Sequence, residues 1–140
     1  MKADNLTEKA VMAFLENFAE SYTKRDMRGV MSLIAPDADV IIYGTEADEK
    51  RVGLKEIQTQ LERDWAQTEA LSLEYNKISV SAAGTVAWVA IDSMFKAKIK
   101  GYNLFFPARV TKILEKREDK WLLVHGHFSL PDVKQQLLTF

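Results

Sequence analysis

The spacing of apolar residues changes once along this chain, and that change constrains its fold more than any other feature. In the first half of the chain, over residues 11–22 and 54–65, the apolar side chains recur every three or four positions, as on one face of a helix. From residue 70 onward they alternate with polar residues, as in strands with one buried face. Helices followed by strands predict an α+β fold.

Three helices are predicted in the first half of the chain. Asn5 and Glu8 have the spacing of a capping box, which places the start of a long helix there. Asp26 is expected to cap a short second helix that ends before Pro36. The apolar stripes of the long first helix and of the third helix are Val11, Phe14, Leu15, Phe18 and Tyr22, and then Leu54, Ile57, Leu61 and Trp65.

The first strand is predicted at residues 40–43, which are β-branched and aromatic. A polar loop is predicted to follow at 45–53. The later strands are predicted over 70–83, 85–100, 102–116 and 121–129, as an antiparallel meander. A long, twisted sheet of this kind can curl around the helices and leave a hollow. No linker or repeat interrupts the sequence, so residues 1–140 are predicted to form one domain.

The charge balance and composition exclude several classes of function. Nineteen basic and 20 acidic residues give a net charge of −1, which offers no basis for a nucleic-acid or membrane partner. The chain has no cysteine, which excludes disulfides, thiolate catalysis and cysteine zinc sites. The six glycines form no nucleotide or flavin motif, so no cofactor is predicted. The charged N-terminus lacks a signal-peptide core, which predicts a cytoplasmic protein.

Several motifs together resemble a known superfamily. They are Arg25-Asp26 after the long helix, Asp37-Ala38-Asp39-Val40 at the first strand, Arg109-x-Thr111, and Trp121-x-x-x-His125-x-His127-x-Ser129 at the end. This arrangement resembles the nuclear-transport-factor-2-like (NTF2-like) superfamily and its SnoaL-like subgroup, whose relatives include ketosteroid isomerase and the calcium/calmodulin-dependent kinase association domain. The resemblance implies a cystatin-like cone, in which the N-terminal helices pack in the concave face of a strongly curved, mainly antiparallel sheet. It also implies a pocket between them and homodimers through the convex face.

The resemblance implies no single activity, because members of the superfamily range from isomerases and dehydratases to oligomerisation hubs. In steroid isomerases, a tyrosine of the first helix donates a hydrogen bond to the developing oxyanion, and an aspartate of the first strand moves the proton. Aligned on Asp26-x-x-Gly29, this chain has Phe18 and Ile42 at those positions. Neither side chain can transfer a proton, so standard ketosteroid isomerase chemistry is not expected.

His125 and His127 are the only histidines, and their spacing places both on one face of the last strand. Trp121, Leu123 and Ser129 are expected on the same face. His127 is therefore a candidate general acid or base in the pocket, with His125 as a ligand-binding neighbour. The alternative is a structural pair satisfied by nearby groups. No motif marks a third ligand, so no metal site is predicted.

Asp92 interrupts an otherwise apolar strand, and Arg109 lies in the next strand. A carboxylate in such a run either has a raised pKa that suits catalysis or pairs with a cation. Asp92 is thus a second catalytic candidate, and Arg109 is its expected partner and a candidate for gripping a ligand carboxylate. The same pair fits a dimer face equally well.

Four aromatic residues are candidates for the walls of a ligand pocket, although aromatic residues on such faces usually belong to the core. They are Tyr22, Tyr43, Trp65 and Trp88. The apolar tail at 132–140 is expected either to cover the pocket or to dock on a second subunit.

The sequence therefore leaves two functions open. One is a SnoaL-like protein that encloses a small-molecule ligand, either as a binder or as an enzyme acting by proton transfer on a small organic substrate. The other is a non-catalytic homo-oligomerisation module resembling the kinase association domain. A homodimer is expected in both cases.

Overall fold

A long amphipathic helix opens the computed structural model, which describes residues 1–132. The helices are α1 (Asn5–Thr23), α2 (Met27–Met31) and α3 (Gly53–Ala66), and the strands are β1 (Ile41–Tyr43), β2 (Lys50–Val52), β3 (Ala70–Ala83), β4 (Val86–Ile99), β5 (Tyr102–Arg117) and β6 (Lys120–Ser129). The three helices and the four long strands are where the sequence predicts them. The question of what the tail covers falls on residues 133–140, outside the described residues.

The six strands form one open, mixed sheet in the order β2-β1-β6-β5-β4-β3. Strands β3 to β6 make the predicted antiparallel meander. Strand β1 joins β6 in parallel, with Ile41 opposite His125 and Tyr43 opposite His127. The sequence predicts a loop where the short strand β2 lies, because two of its three residues are charged. Charged side chains are common in edge strands, and β2 is at the edge of the sheet.

The core lies between α1 and one face of the sheet, which we call the inner face. All five residues of the predicted α1 stripe are buried there. They share one core cluster with inner-face side chains such as Val89, Val110 and Leu123. The opposite face, called the outer face, carries the alternate side chains of the same strands. The chain is thus the α+β cone that the sequence predicts.

A β-bulge in β6 reverses which residues of that strand face the core. Leu114 lies opposite Leu123, whereas the preceding residue, Ile113, lies opposite His125, so Val124 is an extra residue on β6. Because successive strand residues point to opposite faces, one extra residue moves every later side chain to the other face. Residues 121 and 123 therefore face inward, and so do residues 126 and 128 after the bulge.

The start of α1 differs from the prediction. The helix is capped by Asp4, whose carboxylate accepts a hydrogen bond from the Thr7 amide at 2.8 Å. The predicted capping box of Asn5 and Glu8 is wrong, because Asn5 is already the first helical residue. The predicted cap of α2 is confirmed, with the Asp26 carboxylate accepting from the Gly29 amide at 2.9 Å.

Candidate functional site

A cavity of about 340 Å³ lies at one end of the inner face, between α1, α3 and the sheet. Its apolar walls are built mainly from large side chains of the helices and the long strands: Phe18, Leu61, Leu73, Phe95, Phe106 and Phe128. The segment from Gly44 to Arg51 forms the remaining side. Thr45 and Glu46 in that segment are exposed, as are Gln67 and Leu130 elsewhere in the lining, so the cavity is open to solvent.

A chain of hydrogen bonds forms the polar wall of this cavity. The Tyr22 hydroxyl donates to Asp64 Oδ2 at 2.9 Å. Gln60 Nε2 donates to Asp64 Oδ1 at 2.8 Å and to Glu49 Oε2 at 2.7 Å. Arg51 Nε donates to Gln60 Oε1 at 2.8 Å. All five side chains line the cavity, and together they fix the orientation of the Asp64 carboxylate.

The end of α1 and the end of α3 hold Tyr22 and Asp64 together. The Trp65 indole N–H donates to the Tyr22 carbonyl at 3.1 Å. Arg25, which leaves α1 with a φ of 58°, donates to the carbonyls of Trp65 and Thr68. These bonds satisfy carbonyl groups that the end of α3 leaves without helical partners. Arg25 therefore ties the two helix ends that carry the polar wall.

Burial shifts the pKa values of both groups in this pair. Partial burial raises the pKa of the Asp64 carboxyl above its ordinary value, against the opposing effect of its hydrogen bonds from Gln60 and Tyr22. Burial and the neighbouring Asp64 charge hold the pKa of the Tyr22 hydroxyl well above 10. Tyr22 therefore remains a proton donor in its hydrogen bond, while Asp64 accepts a proton more readily than an exposed carboxylate does.

Lys112 is a fully buried lysine on the inner face of β5, with a relative exposure of 0%. Within residues 1–132 its ammonium nitrogen has no hydrogen-bond partner. It lies 3.4 Å from the centroid of the Phe18 ring and 5.9 Å from that of Phe128. Burial lowers the pKa of Lys112 from 10.5 to about 7. Both rings line the cavity, so they separate Lys112 from its open space.

Sequence reasoning missed Asp64 and Lys112, although both carry a signal. Lys112 continues the alternation of Ala108, Val110 and Leu114, all of which are buried. A lysine on an apolar face of a long strand is therefore a candidate for burial. Asp64 follows Leu61 by three positions, which places it on the apolar stripe of α3.

The two histidines lie on the outer face, away from the cavity. The prediction that they share a face with Trp121 and Leu123 is wrong, because the bulge at Val124 lies between the two pairs. The Tyr43 ring lies beside them, at 5.2 Å from His127 and 6.4 Å from His125 between ring centroids. Three of the predicted site residues are thus brought together, but outside the cavity.

Asp92 and Arg109 also lie on the outer face. They are direct cross-strand neighbours, as the sequence suggested. Both are exposed, and no ion pair joins them in the part of the chain that the structure describes. Trp88 lies half-buried on the same face, opposite Ile113. Asp92 therefore does not point into the core or the cavity, because the even-numbered residues of β4 face away from the helices.

Of the eight predicted site residues, only Tyr22 lines the cavity among the described residues. Trp65 is buried behind Tyr22, with their ring centroids 6.0 Å apart. No three His, Asp or Glu side chains in residues 1–132 are grouped so that they could hold a metal ion. No helix in this part of the chain is long and apolar enough to cross a membrane. The catalytic and binding roles predicted from the sequence stay predictions.

The family comparison covers most of the chain. Residues 11–133 match the model of the SnoaL-like domain. The chain belongs to the SnoaL-like family. The resemblance predicted from the sequence is therefore confirmed. Among curated proteins, none matches the chain.

Solved structures confirm the fold of this SnoaL-like chain. An NTF2-like superfamily protein from Salmonella enterica has a TM-score of 0.84 at 17% identity, over 93% of this chain and 94% of that chain. A protein provisionally named a calcium/calmodulin-dependent protein kinase II association domain, from Xanthomonas campestris, has a TM-score of 0.77 at 24% identity, over 86% and 85%. A provisionally named dehydratase of the NTF2-like family, from Streptomyces avermitilis, has a TM-score of 0.79 at 17% identity, over 92% and 99%.

The buried ammonium of Lys112 makes the stability of the chain depend on pH. The folded state binds its proton less tightly than the unfolded state, so between about pH 7 and pH 10.5 the unfolded state holds more protons. The contribution of Lys112 to the free energy of unfolding therefore rises with pH over this range. Replacing Lys112→Met removes this dependence, and at about pH 7 it raises the free energy of unfolding by about 1–3 kcal/mol.

Urea unfolding of both proteins at about pH 7 and about pH 10 measures this effect as a difference of differences. Lys96→Met is the matched control, because Lys96 is exposed on the outer face and pairs with Glu74 at 2.6 Å. An equal pH dependence in wild type and Lys112→Met would contradict the prediction.

Proposed function

We propose that this SnoaL-like protein binds a small, largely apolar organic molecule in the inner-face cavity. The observation that carries the proposal is the Tyr22–Asp64 hydrogen bond in the wall of an otherwise mostly apolar cavity of about 340 Å³. Ligand sites in proteins are typically concave and apolar, with a few polar groups that fix the orientation of the ligand. The cavity has this composition.

The Tyr22–Asp64 pair is also suited to proton transfer. Each Asp64 oxygen accepts one hydrogen bond, and a carboxylate oxygen has a second lone pair for a substrate proton. A raised pKa brings a carboxyl closer to the range in which it serves as a general base or acid. We therefore place proton transfer on Asp64, with Tyr22 holding the carboxylate in position.

The name of one structural neighbour is consistent with this chemistry. The Streptomyces avermitilis protein is provisionally named a dehydratase. Loss of water from an organic substrate requires a base that removes a proton and an acid that protonates the leaving hydroxyl. In this chain one carboxyl group, Asp64, would fill the first role and then return its proton in the second.

A cytoplasmic location stays a prediction from the sequence.

The cavity itself is tested by filling it. Ala97 lines the cavity and is buried, so Ala97→Trp places an indole in the ligand space. We expect wild type to retain a small molecule in native mass spectrometry, or to be stabilised by small apolar compounds in a thermal-shift screen. Ala97→Trp should neither retain the molecule nor be stabilised by the compounds.

The matched control is Ala90→Trp, an exposed outer-face position of the same strand. It should keep the response of wild type. Equal responses of the two tryptophan variants would contradict a ligand site in the cavity, provided that circular dichroism shows both to be folded.

For a compound that the protein converts, Asp64→Asn should lower kcat by about 10²–10⁴-fold, since the amide cannot take up the proton. The variant keeps the size of the side chain and one acceptor oxygen for the two donors, Tyr22 and Gln60, so the dissociation constant should change less than kcat. Steady-state kinetics and calorimetry measure the two quantities separately. Asp92→Asn, on the outer face, should leave kcat unchanged; a large loss there and none in Asp64→Asn would return the assignment to the residue that the sequence favoured.

A second candidate function, homo-oligomerisation, is favoured by apolar side chains on the outer face. Phe105 is 61% exposed on that face, and the exposed Pro107 lies next to it along the strand. Exposed apolar patches of this kind mark interaction surfaces. The Xanthomonas campestris neighbour is provisionally named an association domain. We propose that the outer face joins two copies of this chain, which is compatible with a ligand in the cavity.

A charge on this surface tests the homodimer. Phe105→Asp places a carboxylate where the second copy would pack, so the mass from light scattering should fall from that of a dimer to the 15.9 kDa of one chain. Leu6→Asp introduces the same charge at an exposed apolar residue of α1, away from the outer face, and should leave the mass unchanged. A monomeric wild type would contradict the dimer without affecting the cavity.

A further inference from the structure

Among the described residues, Lys112 is the buried inner-face side chain whose polar group has no partner. A buried charge is normally paired, and a buried polar group normally has a hydrogen-bond partner. In the described chain Lys112 Nζ has neither a hydrogen bond nor an ion pair. Its nearest groups are the Phe18 and Phe128 rings, whose faces only partly compensate a cation.

We infer that Lys112 is the anchor for a negatively charged ligand group, so that the cavity takes a small apolar monocarboxylic acid whose carboxylate pairs with Lys112 Nζ. This inference rests on the binding function proposed above. It goes beyond that function by naming the class of ligand and its orientation.

Lys112 lies beside residues that line the cavity. Its partner in the register of β6 is Gly126, which carries no side chain. A Cβ built on Gly126 would meet the Ile42 and Phe128 side chains only at 3.7–3.8 Å, which is ordinary van der Waals contact. Ile42, Phe18 and Phe128 all line the cavity. For Nζ to reach the cavity space, the half-buried Phe128 must change its rotamer.

The charges that line the cavity favour one orientation of the ligand. Among the described lining residues, Asp64, Glu49 and Glu46 are acidic and Arg51 alone is basic. A carboxylate at that end would face acidic groups, which disfavours it. The acid group is therefore placed inward at Lys112, and the rest of the molecule extends toward Tyr22 and Asp64.

Among residues 1–132, no acidic group forms an ion pair with Lys112. Its neighbours include Phe18 from α1, Val89 from β4, and Gly126 and Phe128 from β6, none of which titrates. Burial alone accounts for the lowered pKa of Lys112, with no charged neighbour contributing. An incoming carboxylate would be the first counter-ion, and it would favour the protonated amine.

The test compares matched pairs of acids and uncharged amides by isothermal titration calorimetry. The pairs are phenylacetate with phenylacetamide, 3-phenylpropionate with its amide, and octanoate with octanamide. Wild type should bind the better acid about 10- to 100-fold more tightly than its amide, which is the range for a hydrogen bond to a charged group. At about pH 8 acid binding should take up protons, seen as a heat that varies with the buffer, because the amine must become charged.

Lys112→Met should abolish both the preference for the acid and the proton uptake. Lys96→Met removes an exposed lysine of the outer face and should keep both. If Lys112→Met fails to fold, the comparison of acid and amide binding to wild type still decides, because an amide carries no negative charge to pair with Lys112.

The remaining outcomes separate this inference from the proposed function. If acid and amide bind wild type alike, or if the preference persists in Lys112→Met, the anchor is overturned while the cavity function stands. If the protein retains some other molecule but binds none of the three acids, the anchor is likewise overturned. If wild type binds no probe and retains no molecule, both the anchor and the proposed function fail.

Discussion

The single extra residue at Val124 decides which side chains of β6 meet the helices. Strand side chains alternate between two faces, so a bulge reassigns every residue that follows it. Before Val124 the strand contributes Trp121 and Leu123 to the core, and after it Phe128 reaches the cavity. The histidines are turned to the outer face by the same step. The reversal therefore keeps both histidines out of the cavity and brings Phe128 to its wall.

The sequence predicts the elements well, because helical and strand periods are local signals that each segment carries by itself. The predicted α1 stripe is buried in full, and Asp26 caps α2 as expected. The faces of the strands are harder to predict, since they depend on register between segments far apart. The sequence nevertheless carries a sign of this change. From Val124 onward the apolar residues lie at even positions, and His125 and His127 lie at the odd positions between them.

The candidate site was missed for a related reason. The two histidines and the isolated Asp92 stand out in the sequence, whereas Lys112 is one lysine among many. Lys112 becomes informative only when its neighbours Val110 and Leu114 are known to be buried. The fold therefore supplies what the sequence lacks, which is the set of polar groups that share one enclosed volume. That set combines an acid–hydroxyl pair at the open end with a cation behind the aromatic wall.

The parallel pairing of β1 with β6 has a consequence for how the chain assembles. Ile41 must find His125, which lies 84 positions later in the chain, and β2 attaches to the sheet only through β1. Contacts so distant in sequence carry a high entropic cost and slow folding. During synthesis, the first two strands have no sheet to join until the last strand has left the ribosome. The segment between α2 and α3 therefore joins the rest of the sheet only once β6 is in place, and it is a segment that borders the cavity.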